Sequence, residues 1–269
     1  MRKLVTAVIF HNGKYIILKR KLHWNGWEFV KGNIDGQGYR KALLREIREE
    51  VGLRKVKIIC QLPPEIIYRH ENIRGHTTTM QKAFLVEYLG GNIKVSFEHS
   101  TFRWVDRKTA QKFLTHATHK TFLAAADKYV RKIEKKRKKD LIEKLSRKHV
   151  TLVKFDGKKI SFRYDGKKLS NRAVKRTVKV VGDWSRKSDA VYYDKNLDQL
   201  GVLPILIHES VEKHVTQKYG LDVDTEAHRI AQAVEKEFVA DKNWIRIQKL
   251  VSKDWVKTNK MKVGKSKFY

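Results

Sequence analysis

Runs of apolar residues with short polar interruptions open the chain. Residues 4–10 and 15–19 are rich in β-branched and aromatic side chains and flank Asn12-Gly13. That dipeptide readily takes the positive φ angles of a tight turn, so the chain is predicted to begin with a β-hairpin. Further β-like segments lie at 56–62, 65–68, 80–88 and 102–105, and helical spacing lies at about 39–51 and 108–114. The alternation predicts a mixed α/β domain over residues 1–130. From about Lys120 a helical stretch runs into residues 131–148, which carry ten basic and three acidic side chains and are predicted to be a basic helical connection between domains. Residues 149–155 and 159–164 then form a second hairpin pattern around Asp156-Gly157. A β stretch at 173–181 and helical patterns at about 203–219 and 225–239 follow. Residues 149–269 are therefore expected to form a smaller α+β domain.

Composition changes this picture mainly through charge. Sixty Lys and Arg against 29 Asp and Glu leave a formal net charge of +31 on 269 residues. Both parts share it, with 24 basic and 11 acidic residues in 1–130 and 36 basic and 18 acidic in the remainder. Such a field attracts polyanions, and single-stranded RNA or DNA is the expected partner, ahead of an acidic membrane surface or a polyphosphate substrate. A solubility charge without a partner is the plainer alternative. The single cysteine, Cys60, excludes an intramolecular disulfide and a cysteine-based zinc finger. A reducing, cytoplasmic setting is expected. The start resembles a signal peptide, but its apolar run ends after seven residues at His11, which suits a strand better. No stretch approaches the roughly 20 apolar residues of a membrane-spanning helix.

The helix predicted at 39–51 carries the first candidate chemistry. Leu43, Ile47 and Val51 recur at i, i+4 and i+8 and mark its buried face, while Glu46, Glu49 and Glu50 project elsewhere within an arc of about 100° at helical spacing. Three carboxylates so close repel one another, and Arg45, one turn before Glu49, offsets only part of that repulsion. Mg²⁺ suits the set, because it prefers hard oxygen ligands and bridges carboxylates to phosphates. A solvated acidic face is the alternative. Arg45-Glu46-Ile47-Arg48-Glu49-Glu50-Val51-Gly52-Leu53 matches the second half of the Nudix box, and residues 27–32 resemble the strand and loop that lead into it.

The resemblance covers residues 1–130 and implies an α/β/α sandwich that hydrolyses a nucleoside diphosphate derivative with Mg²⁺ or Mn²⁺. It implies metal binding by Glu49 and Glu50, with Glu46 sharing the site and Arg45 holding the carboxylates. Glu98 is the candidate general base, Lys31 and Arg20 are candidate phosphate contacts, and Trp27, Trp24 and Tyr68 are candidates for stacking on a base, with burial in the sheet as their commoner role. The first half of the box departs from the pattern. Counting back from Arg45 puts Lys31 where a Gly is usual and Gln37 where a Glu is usual, so the loop reads as one residue short, with Gly32 as its nearest glycine and Asp35 as the substitute acid.

The second domain offers His208-Glu209-Ser210-Val211-Glu212, then His228 and Glu235. The segment departs from HExxH, with Glu212 at the second His position, and is similar to HExxE and AHxxA arrangements in uncharacterised microbial proteins, which supply no activity. His208 and Glu212 lie one helical turn apart, and His228 and Glu235 two turns apart. The four are expected to meet where two helices pack, as a buried hydrogen-bonded network in preference to a Zn²⁺ site. The leading expectation for the whole chain is a Mg²⁺-dependent pyrophosphohydrolase acting on a nucleotide, a dinucleoside polyphosphate or an RNA 5′ end. The rival is a nucleic-acid-binding protein built on an inactive Nudix scaffold.

Overall fold

The computed structural model describes residues 1–72, 75–178, 181–197 and 199–239, without the side chains of residues 70–72, 75, 199 and 200. The chain divides into two compact units, Met1–Arg137 and Lys138–Tyr269. The first begins with the hairpin of β1 (Arg2–His11) and β2 (Lys14–Arg20), and Asn12 and Gly13 turn it at φ angles of 46° and 71°. Two short strands follow, β3 (Gly26–Glu28) and β4 (Val30–Asn33), then α1 (Tyr39–Val51), β5 (Lys55–Asn72), β6 (Gly75–Gly90), β7 (His99–Val105), α2 (Arg107–Phe113) and α3 (Ala117–Ser146). The seven strands make one sheet in the order β3-β2-β1-β6-β5, with β4 on β1 and β7 on β2.

Strand alternation sends the residues of β1 to opposite faces. Val5, Ala7 and Ile9 join Ala42, Leu43, Ile47 and Val51 of α1 in one core cluster. Val8 and Phe10 join Ala110 of α2 and Phe122, Leu123, Ala126 and Val130 of α3 in the other. The result is the expected α/β/α sandwich. α1 ends at Gly52, whose φ of 71° lets its N–H return to the Arg48 carbonyl at 3.0 Å.

The second unit has a five-stranded sheet in the order β11-β12-β10-β9-β8. Its strands are β8 (Thr151–Phe155), β9 (Lys159–Tyr164), β10 (Lys167–Arg176), β11 (Gly182–Trp184) and β12 (Ala190–Asp194). Helix α4 (Gln199–Tyr219), a π-helical turn Val223–Ala227 and α5 (His228–Phe238) complete it. Ile160, Phe162 and Tyr164 of the sheet bury against Leu206, Val211 and Val215 of α4 and Ile230 and Val234 of α5, which gives the expected α+β arrangement.

Three expectations shift. The helix read from about Lys120 begins at Ala117 and runs to Ser146; along it Ile133 packs on the first unit's core, and Leu141, Ile142 and Leu145 on the second's. The β stretch read at 173–181 starts earlier, at Lys167, because β10 pairs with β9 before its second half pairs with β12; residues 179 and 180 lie outside the described residues. The last helix is broken at its start into the π-helical turn. Among the described residues no helix is long and apolar enough to cross a membrane.

Leu43 is fully buried between α1 and the sheet. Leu43→Ala should cost about 2–5 kcal/mol of unfolding free energy by denaturant titration. A loss below about 1 kcal/mol would contradict the packing of α1.

Candidate active site

Trp27 and Phe29 point into the core shared with α2 and α3, so the alternation of an extended chain turns Glu28 the other way. Its side chain is 1% exposed and meets three cationic or proton-donating groups. Arg20 Nη1 lies 2.9 Å from Oε1, His99 Nε2 lies 3.3 Å from the same oxygen, and Lys31 Nζ is ion-paired to Oε2. Burial pushes the Glu28 carboxyl up, yet His99, Lys31 and Arg20 together hold it at about 2.

Glu50 lies beside this ionised group. It is buried, and its carboxylate accepts a hydrogen bond from the Lys31 backbone N–H, 3.3 Å from Oε2. Burial, then the charges of Glu28 and Glu46, push its carboxyl well above the usual range. Glu46 is also buried and raised, first by burial. Its carboxyl lies against the backbone of Gly32, where a Cβ would stand 1.8 Å from Cδ, so any larger residue there would force the Glu46 carboxyl to move.

Arg45 binds Glu46 Oε1 at 2.8 Å, Glu49 Oε2 at 3.0 Å, Asp35 Oδ2 at 3.0 Å and the Asn33 carbonyl at 2.7 Å. It thereby fastens the loop that precedes α1 to the helix. Glu49 itself is 56% exposed on the solvent side. Within the loop, Gln37 donates its backbone N–H to the Ile34 carbonyl at 2.7 Å, and Asp35 and Gly36 adopt φ angles of 45° and 73°.

Glu98 reaches the cluster through Arg20, whose Nη2 lies 3.0 Å from its Oε2. Lys31 Nζ stands 5.5 Å from the ring centre of Trp24, which also packs edge-on against His116. Tyr68 is half-buried on β5. The expectation that Trp27 contacts substrate is corrected. Its ring is buried in the opposite core against Phe113, 5.4 Å away, and its backbone N–H is held by Thr115 Oγ1. Sequence reasoning passed over Glu28, although a carboxylate between Trp27 and Phe29 was the available signal. It also passed over His119, buried on α3, whose Nδ1 accepts the Phe29 N–H at 3.1 Å. Burial lowers the His119 imidazole to about 3, which keeps it neutral and able to accept.

This donor set fits a hard divalent cation. Glu28 has its own cations, whereas Glu50 has a buried, like-charge-crowded carboxylate that a metal would relieve. Residues 1–126 match the family described as NUDIX domain. The first unit carries a Nudix domain. Over 96 residues the chain is 33% identical to an RNA pyrophosphohydrolase of Campylobacter jejuni subsp. jejuni serotype O:23/36 (strain 81-176), a match covering 33% of this chain and 62% of that protein. It is 42% identical over 45 residues to an RNA pyrophosphohydrolase of a Nitratiruptor species, covering 16% and 29%. The chain thus spans less than two thirds of the length of the first of these relatives. A C. elegans Ap4A hydrolase binary complex superposes with a TM-score of 0.43 at 20% identity, covering 48% of this chain and 98% of that one. A MutT protein from Methanosarcina mazei Go1 does so at 0.39 and 18%, covering 48% and 94%.

In the second unit, α4 and α5 bring His208, Glu212, His228 and Glu235 together. His208 Nδ1 lies 2.7 Å from Glu235 Oε2, and His208 Nε2 lies 3.1 Å from His228 Nδ1. His228 Nδ1 lies 3.0 Å from Glu212 Oε2. Burial opposes charge on His208, but Glu212 and Glu235 raise it, and His208 in turn holds Glu212 low.

Glu50→Gln provides a test of the crowding in the Nudix domain. A carboxyl raised in the native state contributes stability below its unfolded value of 4.5, and that contribution is lost as pH rises through the native value. In metal-free buffer the variant should therefore melt above wild type at neutral to alkaline pH, with the difference shrinking to nothing as pH falls to 4.5. A difference independent of pH would show that Glu50 is not crowded.

Proposed function

We propose that the Nudix domain hydrolyses a pyrophosphate bond in a nucleoside diphosphate derivative, with an RNA 5′ end as the leading substrate and a nucleotide or dinucleoside polyphosphate as the alternatives. The observation that carries this reading is the surplus of buried carboxylate at Glu50, bordered by Arg20 and Lys31. The names of the curated relatives favour RNA within that class.

Glu46, Glu49 and Glu50 would hold Mg²⁺ or Mn²⁺, which when bound neutralises phosphate oxygens and bridges them to the protein. Arg45 keeps Glu46 and Glu49 in place and holds the loop at Asn33 and Asp35. Lys31 and Arg20 would attract the phosphate chain, and Trp24, beside Lys31, would stack on a base. Glu98, fixed by Arg20, would take the proton of the attacking water as the bond from phosphorus to the leaving phosphate oxygen breaks.

The expected assay result is Mg²⁺- or Mn²⁺-dependent release of phosphate or pyrophosphate from 5′-triphosphorylated RNA or from a nucleotide panel. Glu50→Gln should lower kcat by about 10²- to 10³-fold, equivalent to about 3–4 kcal/mol of lost transition-state stabilisation. RNA binding without turnover of any substrate would favour the scaffold reading, for which the altered loop of residues 34–38 speaks.

Single-stranded nucleic acid is the proposed macromolecular partner, engaged in part by exposed cations along α3 such as Lys135, Lys136 and Lys139. Binding should weaken by about 300-fold or more between 50 and 200 mM salt if six or more phosphates are neutralised. Replacing those three lysines with Gln should flatten the log–log salt slope by up to about 2. An unchanged slope would remove α3 from the binding surface.

A further inference from the structure

The group His208, Glu212 and His228 plays no part in the Nudix chemistry. Among the described residues it is the one set of three His, Cys, Asp or Glu side chains whose donor atoms all lie within 4.8 Å of one another. The Nudix-domain carboxylates do not converge to that degree. A cation that retains waters and bridges to substrate needs no such preformed cage, but one bound mainly by protein side chains does.

The triangle in the second unit has edges of 3.1 Å between His208 Nε2 and His228 Nδ1, 3.0 Å between His228 Nδ1 and Glu212 Oε2, and 3.5 Å between His208 Nε2 and Glu212 Oε2. Three donors bound at about 2.0–2.1 Å to one metal stand about 3.0 Å apart in octahedral and about 3.4 Å apart in tetrahedral geometry. The observed edges span those values. The atoms around the triangle are arranged to leave these three donors available. His208 Nδ1 is engaged by Glu235 at 2.7 Å, so the proton that a metal would displace is the one on Nε2. Trp184 Nε1–H donates to Glu212 Oε1 at 2.9 Å and leaves Oε2 for the centre. The amide end of Gln232 lies 3.0 Å from His228 Nε2, and a half-turn of that amide lets its oxygen accept the Nε2–H. Each potential ligand thus has a second partner on its remaining polar atom, the arrangement that orients metal-binding imidazoles and carboxylates.

We propose that His208 Nε2, Glu212 Oε2 and His228 Nδ1 bind a divalent transition metal of the zinc class in the second unit. Two imidazoles and one carboxylate select such an ion over Mg²⁺. The His228 side chain is 45% exposed, so one side of the centre opens to solvent. Three protein ligands with an open position are the layout of a site that binds water or substrate, in contrast to a closed structural site. Glu235 acts as a positioning residue through His208. The residue pattern favoured a hydrogen-bonded network of these residues, and the proposal adds a metal at its centre.

The test uses the full chain, stripped with a chelator and titrated with Co²⁺ while its visible ligand-field absorption is followed, then with Zn²⁺ in competition. Wild type should take up one equivalent of Co²⁺ into a site with visible absorption, and Zn²⁺ should displace it. His228→Ala and Glu212→Gln should each abolish that spectrum or weaken binding at least about 100-fold, and Glu235→Gln should weaken it about 10- to 100-fold. Glu50→Gln, in the Nudix domain, should leave it unchanged, so failure of the Nudix reading and failure of this one are separable. His228 is half-exposed at a helix start, so its Ala variant is the one least exposed to a folding defect, and far-ultraviolet circular dichroism checks this. Absence of the spectrum in wild type, or its persistence in folded His228→Ala, would overturn the metal site and leave a hydrogen-bonded cluster.

Discussion

One ionised carboxylate buried under the edge of a sheet organises the first unit. Glu28 on β3 is reached by Arg20 at the end of β2, Lys31 on β4 and His99 at the start of β7. An unpaired charge in that position would be prohibitive, so these four strand ends must arrive together. Once they do, Lys31 presents its backbone N–H to Glu50, and Gly32, the next residue, lets Glu46 close against the chain. The carboxylate face of α1 is thus positioned by the polar floor beneath it as much as by its own apolar stripe.

That division explains what could be read in advance. The Leu43, Ile47 and Val51 stripe, the Asn12-Gly13 turn and the Arg45 to Leu53 segment are local patterns, and each has its counterpart in the structure. Strands β3, β4, β11 and β12 are three to five residues long, too short for periodicity to register, and their pairing is set by distant partners. Glu28 escaped for the same reason, since its role depends on residues up to 71 positions away. For Trp27 both stacking on a base and burial in the sheet were open, and alternation within the strand decides for the opposite core. The loop before α1 departs from its expected pattern, yet Arg45 supplies it with two anchors, Asn33 and Asp35.

The second unit shows a different use of buried polarity. There α4 contributes a helical i, i+4 pair and α5 an i, i+7 pair, and residues from both helices and from β11 interlock around one point. Spacing along each helix was legible. The convergence was not, because it depends on where the π-helical turn Val223–Ala227 sets the start of α5, and hence the direction of His228.

The parallel pairing of β1 with β6 bears on how the first unit is made. β1 lies inside the sheet, with Arg2 opposite Thr79 and Phe10 opposite Glu87. β1 is synthesised before β6 and must therefore wait for it before one of its edges is covered, while its other edge can already engage β2 and β4. During that interval an apolar strand stands unpaired on one side, the condition under which nascent chains associate with one another or require a chaperone. The late-closing contact, with its large loop-closure entropy, is then the step expected to set the folding rate of the sheet.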